Sequence, residues 1–257
     1  MSIKLNYQTY GEGEPVLILH GLFGSGSNWK TIAKQLADKF KVLIVDLRNH
    51  GNSDHADSMS YKEMADDVSN LFDTIGLDKA NIISHSMGGK TAMVLALNYP
   101  SLIKRLLIVD IAPVDYTSDY HPLIAALDSL PLDKLTNLNE ASELLRESIP
   151  EHGLRQFLLQ NLVRDSVGFR WRINLPVIKS YLKEIISFPQ DITINPFQGP
   201  VRFLAGSNSD YIQSEHHDKI DKLFPKATIH SVKDAGHWLH VDQPAEFLRE
   251  TVSFLSS

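Results

Sequence analysis

The stretch NIISHSMGGKTAM, Asn81–Met93, decides how the rest of the chain is read. An apolar run ends at a turn rich in small residues, and helical spacing begins at Met87. Around Ser86, S-H-S-M-G has the form of a strained strand-to-helix turn that exposes a serine. Such a turn wants small residues two before and two after the serine, and Ser84 and Gly88 stand there. Around Lys90, G-K-T has the form of the end of a phosphate-binding loop, G-x-x-x-x-G-K-[ST], but Ser84 occupies the position of its first glycine. Ser84 departs from both patterns, so the surrounding chain has to choose between them.

Outward from this segment, short apolar runs alternate with helical patterns. Strands are expected at Pro15–Leu19, Lys41–Asp46, Asn81–Ser84 and Arg105–Asp110, and again at Val201–Ala205 and Thr228–Val232. Helices are expected at Trp29–Ala37, Tyr61–Ile75, Met87–Asn98, Glu215–Leu223 and Pro244–Leu255. Strands that are apolar throughout, each followed by a helix, indicate an α/β fold with a mostly parallel sheet covered on both faces. Ile3–Thr9 alternates in polarity and is expected to start an antiparallel edge hairpin. After IAPVDY the rhythm breaks. From Pro122 to Phe188 the spacing predicts helices at Pro122–Leu130, Asn139–Ser148, Leu154–Leu162 and Pro176–Ile186, and no strand. The expected organisation is a core of residues 1–112 and 191–257 with a helical cap, 113–190, inserted after the strand ending at Asp110.

The 257 residues carry a net charge of -6, which excludes an extended basic surface for nucleic acid or membrane. The absence of cysteine excludes disulfides, thiolate metal sites and cysteine nucleophiles, and fits a reducing compartment. No stretch approaches the roughly 20 apolar residues of a membrane span, and MSIKLNYQTYGEGEP has no signal-peptide core. A cytoplasmic protein is expected, as monomer or homodimer.

A serine hydroxyl is a poor nucleophile at neutral pH and needs a base, an acid that orients the base, and donors for the oxyanion. When a nucleophile sits on this kind of turn, the chain order is serine, acid, histidine. DAGHWLH at 234–240 follows the last expected strand, where the base belongs. HGLFGS at 20–25 follows the first buried strand, where the second oxyanion donor belongs. The phosphate-loop reading accounts for neither. HGLFGS, DLRNHGNS (46–53), SHSMGGKTAM (84–93) and VDIAPVDY (109–116) together resemble the YbfF branch of bacterial esterases, within the α/β-hydrolase superfamily. The resemblance implies hydrolysis of carboxylic esters or acyl thioesters, acyl-CoA among them, without a cofactor. It also implies that Lys90 and Thr91 are helix residues of that branch.

Ser86 is the expected nucleophile, against the alternative of a helix N-cap. His237 is the expected general base among 11 histidines; His20 and His85 read as local hydrogen-bonding residues, and His240 is the rival. For the acid, the position three after Gly206 is Ser209, which carries no charge, and Asp210 is one residue late. Asp110, at the carboxyl end of a parallel strand and in the D-I-A-P context of the esterase branch, is the expected acid, with Asp210 the alternative and Ser209 supporting. Backbone N–H groups of Leu22 and Met87 are the expected oxyanion donors, with Phe23 as the alternative to Leu22. Phe23, Trp171, Trp238 and Tyr211 are the expected substrate contacts, although aromatic residues in such an insertion also serve as core. Arg48 and Asn49 are expected to pin loops, and Arg170 and Arg172 to face solvent or the phosphates of a CoA ester. No metal ligands are expected. Lyases, peptidases and perhydrolases share the same three residues, and a non-catalytic ligand receptor shares the scaffold. Ser86 argues against dehalogenases and epoxide hydrolases, which place aspartate at the turn.

Overall fold

The computed structural model describes residues 2–117, 119–190 and 195–257. Its strands are β1 (Tyr7–Tyr10), β2 (Glu14–Leu19), β3 (Phe40–Val45), β4 (Ala80–His85), β5 (Ile103–Val109), β6 (Leu162–Arg164), β7 (Phe169–Trp171), β8 (Val201–Gly206) and β9 (Ala227–Val232). Seven of them form one sheet in the order β1-β3-β2-β4-β5-β8-β9. Every pairing in it is parallel except β1 with β3.

The helices are α1 (Lys30–Leu36), α2 (Tyr61–Ile75), α3 (Met87–Asn98), α4 (His121–Asp128), α5 (Leu138–Leu144), α6 (His152–Leu159), α7 (Leu175–Ser180), α8 (Leu182–Ile186), α9 (His217–Leu223), α10 (Leu239–Asp242) and α11 (Pro244–Leu255). Two apolar layers explain why the strands lack polar alternation. Val16 and Ile18 of β2 pack with Trp29, Ile32 and Leu36 of the α1 region and with Phe247 of α11. Leu17 and Leu19 of the same strand join Met64, Val68 and Leu71 of α2 and Met93 and Leu97 of α3 on the other face. With both faces of a period-2 strand buried, every position has to be apolar. Helix α3 sits so deep that Met87 through Leu97 are all buried. Helix α2 is instead half solvated and is fixed at its ends. Ser60 and Glu63 cap its start reciprocally, and Gly76 closes it in the left-handed conformation (φ 67°).

Four expectations need correction. The N-terminal segment supplies an antiparallel edge strand, but not a hairpin. Both sides of β2 are taken by β3 and β4, so β1 pairs across β3, Tyr7 opposite Val45. The segment between β5 and β8 holds α4 to α8 and also a two-stranded antiparallel sheet, β6 with β7. Asp165 Oδ1 accepts from the backbone N–H of Val167 and Gly168 and closes that turn. The helix expected to run to Leu162 stops at Leu159. The helix expected at 176–186 is broken at Tyr181 into α7 and α8. Ser180 Oγ donates back to the carbonyl of Pro176 just before the break, a bond that bends helices. The expected return of the core at residue 191 falls on 191–194, outside the described residues. Among the described residues, no helix is long and apolar enough to cross a membrane.

Candidate active site

Ser86 lies between β4 and α3 with φ 52° and ψ −120°, a region that non-glycine residues avoid. Ser86 stands at the N-cap position of α3, but its hydroxyl makes no capping hydrogen bond. The turn works because its neighbours are small. A Cβ on Gly88 would lie 2.5 Å from the carbonyl oxygens of Leu19 and His20. The Ser84 hydroxyl, the departure from glycine, is absorbed by the carbonyl of Leu107 at 3.2 Å.

The phosphate-loop alternative fails at Lys90 and Thr91. Lys90 is buried, and its ammonium donates to the carbonyls of Ile186 (2.7 Å) and Ser187 (2.8 Å). It lies 4.8 Å from the centre of the Tyr116 ring. Burial pulls its pKa down to about 7, partly offset by the Asp115 carboxylate. The Thr91 hydroxyl donates to Met87 O and is also buried. Neither group points where a phosphate would bind.

Asp110 follows β5 with φ 50° and is fully buried. Its Oδ1 accepts from the Gly206 N–H at 3.0 Å, and its Oδ2 accepts from Ser209 Oγ and from His237 Nδ1, the latter at 2.8 Å. That approach to Gly206 leaves no room for a side chain there: a Cβ would meet Gly236 O at 2.4 Å. Asp210 is exposed, and its hydrogen-bond partner is Gln213. The histidine at 237 therefore pairs with Asp110, and Ser209 completes the ring of donors around that carboxylate.

The His237 ring is held on its faces as well. Tyr211 stacks on it at 4.0 Å between centroids and His85 tilts against it at 4.5 Å. His85 donates from Nε2 to the backbone carbonyl of His237 at 2.8 Å, joining the strand before Ser86 to the loop that carries the imidazole. His85 was expected to bond only locally; no spacing in the sequence marks a bond between residues so far apart. His240, the rival base, stacks on Trp29 at 4.0 Å, and burial lowers its pKa to about 3. Burial likewise pushes His85 well below the ordinary histidine value.

The amide of Phe23 donates to His50 Nε2 at 3.2 Å, whereas those of Leu22 and Met87 have no acceptor among the described residues. Met87 is the first residue of α3, where amides lack partners within the helix and the dipole is positive.

Ser86, His237, Leu22, Phe23, Trp238 and Tyr211 border one cavity of about 250 Å³, lined also by Leu123, Leu154 and Phe157 of the inserted segment. A second cavity of about 30 Å³ also borders Ser86, Met87 and Leu22. Trp171 borders neither; it sits in β7 opposite Leu162 and packs on the core. Tyr120, Leu123, Leu154 and Phe157 were not singled out in the sequence, because helical apolar spacing looks the same for packing and for lining a pocket. Arg48 forms a buried bidentate pair with Asp67 (2.6 and 2.9 Å), and Asn49 ties its loop to Ser58 O and Asn174. Arg170 pairs with Asp165 at the surface. Among the described residues, no group of three or more His, Asp or Glu is placed to hold a metal ion.

A strained serine after a central parallel strand, a histidine after the last strand and a glycine-bearing loop after the first buried strand define an α/β-hydrolase scaffold. The chain belongs to the alpha/beta hydrolase fold family, whose model matches residues 14–244. It is 42% identical over 249 residues to a Mus musculus protein named sn-1-specific diacylglycerol lipase ABHD11, covering 94% of this chain and 80% of that one. It is 34% identical over 250 residues to the Escherichia coli esterase YbfF, covering 97% of this chain and 96% of the other. Among solved structures, a marine microorganism esterase superimposes with a TM-score of 0.95 at 42% identity, covering 98% of this chain and 100% of that one.

Proposed function

We infer that this chain hydrolyses carboxylic esters or acyl thioesters through an acyl-enzyme on Ser86, with His237 as general base and Asp110 as the acid that orients it. Ester hydrolysis is the activity named for its esterase and lipase relatives. The observation that carries the residue assignment is the bond from His237 Nδ1 to Asp110, with the other edge of that ring left to the cavity shared with Ser86.

In the first step His237 Nε2 takes the Ser86 proton while Oγ bonds to the ester carbonyl carbon. The oxygen of that carbonyl becomes negative and is met by the amides of Leu22 and Met87, each worth about 10²–10³ in rate. The carbon–oxygen or carbon–sulfur bond then breaks, and the leaving group departs with the proton from His237. Water attacks the acyl-enzyme by the same route, which returns Ser86 and releases the acid. Asp110 stays ionised throughout, steadied by Gly206 and Ser209, and stabilises the imidazolium. Residues 113–190 act as the cap that shields this chemistry from water, and the lack of cysteine supports a reducing compartment such as the cytoplasm. The Ser86→Ala variant tests the reading. It should fold normally, fail to hydrolyse a nitrophenyl ester, and lose the phosphonate adduct that mass spectrometry locates on the Ser86 peptide. Undiminished turnover would remove Ser86 from the mechanism.

A further inference from the structure

The two cavities beside Ser86 differ in one respect that bears on substrate. Both touch Ser86 and Leu22, and both touch the aromatic pair Tyr120 and Tyr211, whose hydroxyls lie 2.9 Å apart and form the partition between them. His237 borders only the larger one. Given the mechanism proposed above, on which this inference rests, the leaving group must lie on the His237 side, because its oxygen or sulfur receives the proton from that ring. The acyl group is then directed to the other side.

We propose that the 30 Å³ cavity is the acyl pocket and limits the acyl group to about two carbons beyond the carbonyl, while the 250 Å³ cavity takes a bulky, largely apolar alcohol or thiol. A single water-sized group needs roughly 10–15 Å³, so the small cavity holds about two such groups. It adjoins Met87 and Leu22, so a carbonyl seated at Ser86 has its oxygen at their amides and its short chain beyond them.

The far wall of the small cavity is Ile185 and Ile186, at the end of α8. Four hydrogen bonds hold that wall, three of them from core residues. Tyr61 donates from its hydroxyl to Ile185 O at 2.6 Å, Lys90 donates to Ile186 O and Ser187 O, and the Tyr116 amide donates to Ile186 O at 3.0 Å. The last carbonyls of a helix lack partners within it, so these donors also satisfy what the helix cannot. A wall tied in this way does not retreat to admit a longer chain. The large cavity is lined differently. Leu123, Leu154, Phe157 and Trp238 give it apolar surface, and it borders the imidazole.

The test is two series of esters with the wild-type protein. With one leaving group held constant, kcat/KM should be highest for acetyl or propionyl. One methylene too many in a fitted hydrophobic pocket is worth about 10–200-fold, so hexanoyl should fall at least about 100-fold below propionyl. With acetyl held constant, kcat/KM should hold or rise from methyl to naphthyl esters. The Ile186→Ala variant should raise the hexanoyl-to-acetyl ratio at least about tenfold. The milder Ile186→Val variant should raise it less, and the wild-type series decides the matter if neither variant folds. A preference for hexanoyl or longer, or faster turnover of a long-chain diacylglycerol than of a short-acyl ester, overturns the assignment of the pockets. A phosphonate adduct on Ser86 together with long-acyl preference would sink this inference alone. No turnover of any ester and no adduct would sink the proposed function with it.

Discussion

The Asp110→Asn variant isolates what the buried carboxylate does. Asp110 accepts three hydrogen bonds, from Gly206 N, Ser209 Oγ and His237 Nδ1. An asparagine of the same shape keeps one oxygen and gains an NH₂. If its oxygen stays on the Gly206 N–H, the NH₂ faces Ser209 and His237. The serine hydroxyl rotates and accepts. The imidazole adapts only by changing tautomer, so that Nδ1 accepts and the proton moves to Nε2. Nε2 then has no lone pair for the Ser86 proton, and no anion faces the imidazolium that turnover would form. The substitution should therefore cost little in folding and about 10⁴ in kcat, roughly 5.5 kcal/mol of barrier. The assay is hydrolysis of a nitrophenyl acetate series from pH 6 to 9, beside thermal melting of both proteins. A variant within tenfold of wild type at equal stability would refute the reasoning, and a crippled Asp210→Asn with a mild Asp110→Asn would move the acid to 210.

Other expectations can be checked with the same tools. Asp210→Asn, at an exposed site bonded to Gln213, should change kcat less than about threefold in the nitrophenyl assay. Gly88→Ala places a Cβ 2.5 Å from two carbonyl oxygens, and both melting temperature and kcat should fall, the latter at least about 100-fold from a misplaced Ser86. His85→Phe keeps the ring but deletes the bond to the His237 carbonyl, so kcat should drop about 10–100-fold and the pH–rate profile should shift, while KM stays near wild type. Burial lowers the pKa of His20, His50, His85 and His240 in the fold, so the unfolded chain binds more protons below pH 6.5. Their stabilising effect is complete above about pH 6.5 and fades as pH falls, toward about 3 for His50 and His240, by up to about 1.4 kcal/mol per pH unit for each. Calorimetry in buffers of different ionisation enthalpy should find net proton uptake on unfolding near pH 5; proton release there would contradict it.

The sheet was legible because parallel strands buried on both faces have to be apolar throughout, and the runs at 15–19, 41–46 and 105–110 carry no competing pattern. Helices α2 and α3 could be read at their full length for a similar reason, since Ser60, Gly76 and the turn at Ser86 mark their ends chemically. The sheet inside the inserted segment was not legible. Three-residue strands are shorter than any periodicity can register, and Leu162 also fits the helix before it. The pairing partner of β1 was hidden because it depends on which edge the parallel strands leave free, a property of the whole sheet. At the site, chain order pointed to Ser86, His237 and an acid between them, and the structure brings Asp110, rather than Asp210, to His237. Position could not reveal that Lys90, inside a motif resembling a phosphate loop, turns inward to the carbonyls of α8.

The histidines around Ser86 illustrate a wider constraint. In the proposed mechanism turnover places a positive charge on His237, and a second charged imidazole at van der Waals distance would oppose it. His85 lies 4.5 Å from that ring, and His240 lies 5.5 Å from His85. At the His85 separation two cations inside a protein repel by about 4 kcal/mol at an effective dielectric of 20, enough to slow the first step several hundredfold. The fold avoids this by sinking both neighbours into the apolar layer of Trp29 and Phe247, where desolvation keeps them neutral, while His237 remains partly exposed and paired with Asp110. Under the proposed mechanism, burial of His85 and His240 is electrostatic preparation for catalysis as well as packing. The same burial makes the fold sensitive to acid, because its silent histidines take up protons once the chain unfolds.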